Sequence, residues 1–468
     1  MSQQSAKEAE GSSKQPATEL SAHSKHESML DHDISVMIQD NSCPSDGDDD
    51  ASSVVSETST VAFEHEPYST FQDKVFELCK VLFPNKSAQD IELERMQGGS
   101  FNRIIGITLW EEGGRNLPWY STPNIRNMFS ACVRGKSAKA VKRKSFVVRI
   151  PRNDIHHLCY QSIILMYVGR VLGYQVPKCI TYDSGINNPL SQSYMLQNRL
   201  PGQSLAQLWP HLSIAQRRAA ARCIAEVVRD LHRVRNPCAG VISLRNTSRD
   251  LDTGVVQLEP MMIPGHGKVS IPAAAHVFKT RVATPQTTRN LLLSLIARQR
   301  IRAEEDNIPA ALDHIWSGFT AMINKIYADG FLPDHDTFSL FHPHLYARNL
   351  LFIIPTPSTV HLSGIMDWDN TLFAPKFMAT RAPFFLWQDD VGADEHEEDQ
   401  VLIEPSESSE EREFKRIFEK VVGAQFFRDS YRPEYIFLRR IWRFLECGIR
   451  SGMDQYFAQE ILEQWADK

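Results

Sequence analysis

The residues best equipped for chemistry fall in two short stretches. One is Phe341-His342-Pro343-His344-Leu345-Tyr346-Ala347-Arg348-Asn349-Leu350-Leu351-Phe352, and the other, Gly364-Ile365-Met366-Asp367-Trp368-Asp369, begins some fifteen residues after Asn349. Between them run two apolar segments and a turn. Asn349, Asp367 and Asp369 offer oxygen donors, the ligand type that a hard cation such as Mg²⁺ takes. His342 and His344 carry imidazoles that can exchange a proton near neutral pH, and Arg348 adds a permanent cation. A lone acid in such a stretch can equally be an ordinary surface-turn residue, so these side chains gain meaning only from the elements that hold them.

Those elements can be read along the chain. Phe71, Val75, Leu78 and Leu82 step by 4, 3 and 4, which predicts an amphipathic helix stopped by Pro84. Residues 95–109 read as a strand, a turn at Gly98 and Gly99, and a second strand rich in β-branched residues. An irregular polar insertion from about 110 to 144 ends in Arg134, Lys136, Lys139, Lys142, Arg143 and Lys144. This basic cluster reads as a solvated hairpin loop or a phosphate-seeking or nuclear-targeting patch, and no aromatics are interleaved for base stacking. Ser145–Ile150 then predicts a buried strand ended by Pro151. Apolar residues from Ile163 to Val171 predict a helix closed by Gly173, and two more strands end at Leu196. After Pro201-Gly202 the character turns helical. Ser213 with Gln216 makes a capping box, followed by Ala220, Ile224, Val227, Leu231 and Val234 on one face. Further helical pattern covers Ile315 to Ile326 and about Glu434 to Ala466, with a strongly acidic loop expected from about Asp389 to Glu413.

Composition sets the outer bounds. The 468 residues are 42% hydrophobic, enough for a real core. Residues 1–66 hold 14 acidic and 3 basic residues, so of the net charge of −6 the remainder carries about +5. That first segment is rich in Ser, Asp and Glu and reads as a disordered acidic tail, or alternatively as a docking arm. The near-neutral remainder gives no nucleic-acid footprint. Eight cysteines without C-x-x-C spacing argue against a zinc site or disulfide framework. With no signal segment and no long apolar run, the expectation is a soluble intracellular protein, cytoplasmic by default, with no membrane partner. Nothing in the sequence sets an oligomeric state.

The two chemical stretches, with the two apolar segments and turn between them, resemble the H-x-D-x-x-x-x-N loop and I-D-W-D segment that are the signature of the aminoglycoside phosphotransferase family, in what looks like its fungal branch. Gly98-Gly99-Ser100-Phe101-Asn102-Arg103, Val148-Arg149-Ile150-Pro151, Leu200-Pro201-Gly202 and Ala374-Pro375-Lys376-Phe377-Met378 match in the same order. The resemblance spans roughly residues 70–465. It implies an α+β, bilobal protein kinase-like fold: a small lobe over 67–198 with an antiparallel sheet and helix, and a larger, mainly helical lobe over 199–468.

The resemblance also implies ATP or GTP with Mg²⁺ as cofactors and a small-molecule alcohol as acceptor. Asn349 and Asp367 would then hold the metal, with Asp369 making a water-mediated contact. Gly98, Gly99, Ser100, Arg149, Gln161 and Leu196 would border the nucleotide, Arg149 standing where relatives place their phosphate-contacting cation. Its helix partner, an acid in relatives, aligns with the uncharged Gln161, which can still accept a hydrogen bond from Arg149. A purely structural reading of Arg149 and Gln161 is the alternative. His342 would hold the loop, and Arg348 would order it. His344 departs from the pattern, because it occupies the position of the catalytic aspartate. Two readings follow: an ATP-dependent phosphotransferase with an altered base, or a nucleotide-binding pseudokinase acting as an interaction or regulatory module. Trp209, Trp316, Phe384, Phe385 and Trp387 are expected to be core aromatics rather than substrate platforms.

Overall fold

The computed structural model describes residues 66–96, 102–111, 143–152, 158–261, 282–305, 312–334, 337–387 and 408–468. The chain divides into two units, Met1–Pro67 and Tyr68–Lys468. The expected acidic tail lies outside the described residues, as do Gly98, Gly99 and Ser100, nearly all of the basic insertion and most of the acidic loop.

The second unit is α+β and builds two separate hydrophobic cores. The smaller one is made by α1 (Tyr68–Leu82) against a five-stranded antiparallel sheet. Its strands are β1 (Ile91–Arg95), β2 (Asn102–Trp110), β3 (Arg143–Pro151), β4 (Cys179–Asp183) and β5 (Tyr194–Asn198), in spatial order β1-β2-β3-β5-β4. Successive side chains of a strand face opposite sides. Ile105, Ile107, Leu109, Val148, Ile150 and Leu196 therefore share the face that covers Phe71, Val75 and Leu78 of α1.

The helix α2 (Leu158–Val171) lies between β3 and β4 in sequence but packs elsewhere. Its Leu158, Ile163, Ile164, Leu165, Tyr167 and Val168 belong to the larger core. A short inserted segment holds it there. This segment contains β7 (Arg235–Asn236, after β6 at Gln203–Ser204), β8 (Val241–Ile242) and β9 (Leu258–Glu259), with a six-residue helix at Ser248–Thr253. Tyr160 donates to Glu259 Oε2 at 2.6 Å, and Arg170 Nε pairs with Asp252 at 3.0 Å.

The larger core is built around α3 (Ile214–Arg233). The predicted capping box is present, with the Ser213 hydroxyl accepting from Gln216 N and the Gln216 side chain accepting from Ser213 N. Around it stand α4 (Thr288–Glu305), α5 (Asp313–Ala328), α6 (Ser409–Val422), α7 (Ala424–Tyr431), α8 (Pro433–Cys447) and α9 (Gly452–Ala466). The helical pattern expected over 434–466 is two helices, because Gly448 takes the left-handed φ of 84° that ends α8. The end of the expected acidic loop is also helical. Ser408 and Glu411 form a capping box, Phe414 and Phe418 turn inward from α6, and Glu410 and Glu413 pair with Arg217 at 3.1 Å and Arg218 at 2.6 Å on α3. No helix among the described residues is long and apolar enough to cross a membrane.

Candidate functional site

Two small antiparallel pairings place the chemical residues. Strands β11 (Leu350–Thr356) and β12 (Thr359–Ile365) form a hairpin in which Leu350 faces Ile365. Strands β10 (Phe338–Phe341) and β13 (Leu372–Ala374) pair so that Phe341 faces Leu372. The loop 342–349 leaves β10 and enters β11, while the loop 366–371 leaves β12 and enters β13. Both loops bridge the same two pairings and must run side by side. Asn349, one residue before β11, thus meets the segment just after β12. The backbone N of Met366 donates to Asn349 O at 2.9 Å.

The convergence is centred on one carboxylate. Asp367 Oδ2 lies 3.1 Å from His344 Nδ1 and 3.4 Å from Asn349 Nδ2, and the same Nδ2 donates to His344 O at 2.8 Å. Asp367 adopts φ 63°, a left-handed conformation that an aspartate tolerates better than most residues. Strain of this kind collects at functional sites. Burial works against the charge on both partners, yet their mutual attraction and hydrogen bond win. They raise the pKa of His344 above its ordinary value and hold the Asp367 carboxyl down at about 2.

His342 is a different kind of residue. It is buried, its Nε2 donates to Met366 O at 2.9 Å, and its Nδ1 accepts from His344 N at 3.2 Å. Those two bonds define a neutral tautomer, and burial pushes its pKa down to about 4. It ties the two loops together. Arg348 lies over the Tyr346 ring at 4.8 Å, and that ring stacks on His344 with centroids 6.4 Å apart.

One expectation needs correction. Arg149 does not bond to Gln161; its Nη1 donates to Asp369 Oδ1 at 2.9 Å, and Nη2 makes a second, shorter bond to Oδ2. Gln161 Oε1 is buried with no hydrogen-bond partner among the described residues, and the apolar residues of α2 belong to the larger core. Asp369, expected to make a water-mediated contact to the metal, has both carboxylate oxygens bonded to the Arg149 guanidinium. The Leu196 side chain points away from Arg149. Val148 faces Leu196 and Arg149 faces Met195 in the β3–β5 register, so Leu196 lies on the α1 side of the sheet and Met195 on the side of Arg149. A period-two count from Arg149 would have found this, given the pairing. Trp316, Phe384, Phe385 and Trp387 are core residues, as expected, and Trp209 is partly buried against Phe414.

The donor set suits Mg²⁺. Among the described residues, Oδ2 of Asp367 is taken by His344 and Asn349, while Oδ1 of Asp367 and Oδ1 of Asn349 make no hydrogen bond. One carboxylate and one amide, completed by substrate phosphates and water, is a usual protein share of a Mg²⁺ shell. No group of three or more His, Cys, Asp or Glu residues that could hold a metal occurs among the described residues.

Comparison with known proteins follows this geometry. The chain is similar in structure to an ADP-bound aminoglycoside phosphotransferase, APH(2'')-Ib, at 12% identity and TM-score 0.45, over 83% of this chain and 96% of that one. It is also similar to a variant of APH(4)-Ia in ternary complex with AMP-PNP and hygromycin B, at 12% identity and TM-score 0.43, over 84% and 99%. A third is the GDP and kanamycin complex of APH(2'')-IIIa, at 14% identity and TM-score 0.40, over 83% and 96%. No curated protein sequence matches the chain. The family model described as "Phosphotransferase enzyme family", APH, matches residues 135–375, just over half of the sequence and including both chemical loops. The chain belongs to the APH phosphotransferase enzyme family.

Proposed function

We propose that this protein binds ATP or GTP with Mg²⁺ and transfers the terminal phosphoryl group to the hydroxyl of a small molecule. The observation that carries the reading is the meeting of His344, Asn349 and Asp367 on one carboxylate oxygen. Phosphoryl transfer asks the protein mainly to position groups and neutralise charge. Asp367 and Asn349 would hold Mg²⁺ through their remaining oxygens, and the bound ion supplies charge neutralisation on the phosphates. Arg149 on β3 would contact the phosphates with its remaining N–H groups, and Met195 would border the nucleotide on the same face of the sheet.

His344 stands at the position from which the acceptor hydroxyl would be deprotonated. With Nδ1–H directed at Asp367, its Nε2 carries the lone pair, and the carboxylate both orients the ring and raises its basicity. The same logic operates wherever an acid orients a catalytic imidazole. A base so placed contributes about 10²–10⁴ in rate.

The same contact supports a second reading. An imidazole bonded to the metal carboxylate competes for it, as expected of a nucleotide-binding pseudokinase that regulates or scaffolds. The two readings separate in one assay. Full-length protein with Mg·ATP is offered pooled sugars, amino alcohols and aminoglycosides, and ADP release is followed. The phosphotransferase reading expects acceptor-dependent ADP that falls about 10²-fold or more in His344→Ala. Nucleotide binding without acceptor-dependent ADP across the pools would favour the regulatory reading.

A further inference from the structure

We infer that Asp369 is the positioning residue for the phosphate-contacting cation Arg149, taking over a task that α2 is not equipped to perform. This inference rests on the nucleotide-binding reading above. Three independent observations meet on it. The residue of α2 that the family resemblance matches to the acidic partner is the uncharged Gln161, whose Oε1 is buried without a hydrogen-bond partner among the described residues. The helix is also committed elsewhere. Its apolar face lies in the larger core, and Tyr160 and Arg170 tie it to the 235–261 segment through Glu259 and Asp252. Finally, Arg149 is held by Asp369 through both guanidinium nitrogens, with each side chain only 11% exposed.

The residue type at 149 fits this arrangement. A guanidinium presents parallel N–H groups that match both oxygens of a carboxylate, whereas a lysine ammonium is a point charge without that directionality. The bidentate bond to Asp369 uses Nη1 and Nη2 and fixes the plane of the group. Asp369 lies in the loop that follows β12, two residues beyond Asp367. The orientation of the β3 cation is thereby set by the same loop that carries Asp367, and the sheet of the smaller lobe is tied directly to the 366–371 loop of the larger one.

The test uses full-length protein and Mg·ATP as the probe, with dissociation constants from isothermal titration. The variants are Asp369→Asn, Arg149→Gln and the double variant, assayed well below their unfolding temperatures. If Asp369 acts by orienting Arg149, each single change weakens binding about tenfold and the double change is no weaker than either single one, since both remove the same contact. Asp369→Glu, which keeps the carboxylate, recovers part of the loss. If wild type binds Mg·ATP while Asp369→Asn binds equally well or more tightly, the inference is wrong and the pair competes with the phosphates. Independent, additive losses from the two single changes would overturn it as well. Failure of the wild-type chain to bind any nucleotide is a different result, which removes the functional reading itself.

Discussion

Replacing His344 with aspartate puts the residue expected from the family resemblance into the loop, and its first effect should be on stability. In wild type, Nδ1 of the imidazole lies 3.1 Å from Asp367 Oδ2, with the two side chains 25% and 33% exposed. Losing a hydrogen bond to a charged group costs about 1.5–3 kcal/mol. A carboxylate in its place would repel Asp367 by about 3 kcal/mol at a separation of about 6 Å and an effective dielectric of about 20. Because part of each group faces solvent, roughly half of that total should be realised, a loss of about 2–3 kcal/mol. A divalent cation reverses the balance, since two carboxylates and the Asn349 amide attract Mg²⁺ more strongly than an imidazole–carboxylate pair does. His344→Asp should therefore unfold at a lower urea concentration than wild type in EDTA and recover most of the difference in millimolar Mg²⁺, read by tryptophan fluorescence. Equal midpoints in EDTA, or the same Mg²⁺ effect on both proteins, would refute the reasoning. In the ADP-release assay, the same variant should exceed wild type with any acceptor that supports transfer.

Two further predictions concern the frame around the site. Gly202 has φ 102°, and a Cβ there would lie 2.5 Å from Phe352 O and also strike Ser363 Oγ, on the hairpin that carries Asn349. Gly202→Ala should cost about 2–4 kcal/mol, measurable as a lowered urea midpoint. Glu446, in the last turn of α8, has its carboxyl pushed up to about 7 by burial, against the Trp442 hydrogen bond and the charge of His344. Its folded pKa lies above its unfolded one, so the folded state keeps a proton that the unfolded chain releases. Stability is then full below about pH 4.3 and falls as pH rises to about 7, a loss approaching about 3 kcal/mol. Glu446→Gln should remove that slope, so its advantage over wild type should grow between pH 4 and pH 8 in urea titrations. An unchanged difference across that range would show that Glu446 ionises normally.

Much of this arrangement was legible in the residue order. The steps of 4, 3 and 4 from Phe71 to Leu82 marked α1, and the Ser213/Gln216 pair marked the start of α3, because both signals are local. The pairing of Asn349 with Asp367 was also readable. Two apolar runs joined by a short turn fold back on each other and leave their outer ends adjacent. What sequence could not supply was long-range competition between partners. Arg149 and Asp369 are 220 positions apart, and their contact needs both the sheet that carries Arg149 and the strand pairings that hold the 366–371 loop. The face to which Leu196 points needed the β3–β5 register, which no local pattern fixes. The contact of His344 with Asp367 follows from two loops crossing side by side, visible in sequence only after both strand pairings are known.

The central claim is that Asn349 and Asp367 form a metal-dependent nucleotide site, and titration calorimetry of ATP into the full-length chain tests it most directly. With Mg²⁺ the account predicts saturable binding that weakens at least about tenfold, or about 1.4 kcal/mol, in EDTA and in Asn349→Ala and Asp367→Ala alike. Binding that ignores Mg²⁺ and survives both substitutions unchanged would contradict it.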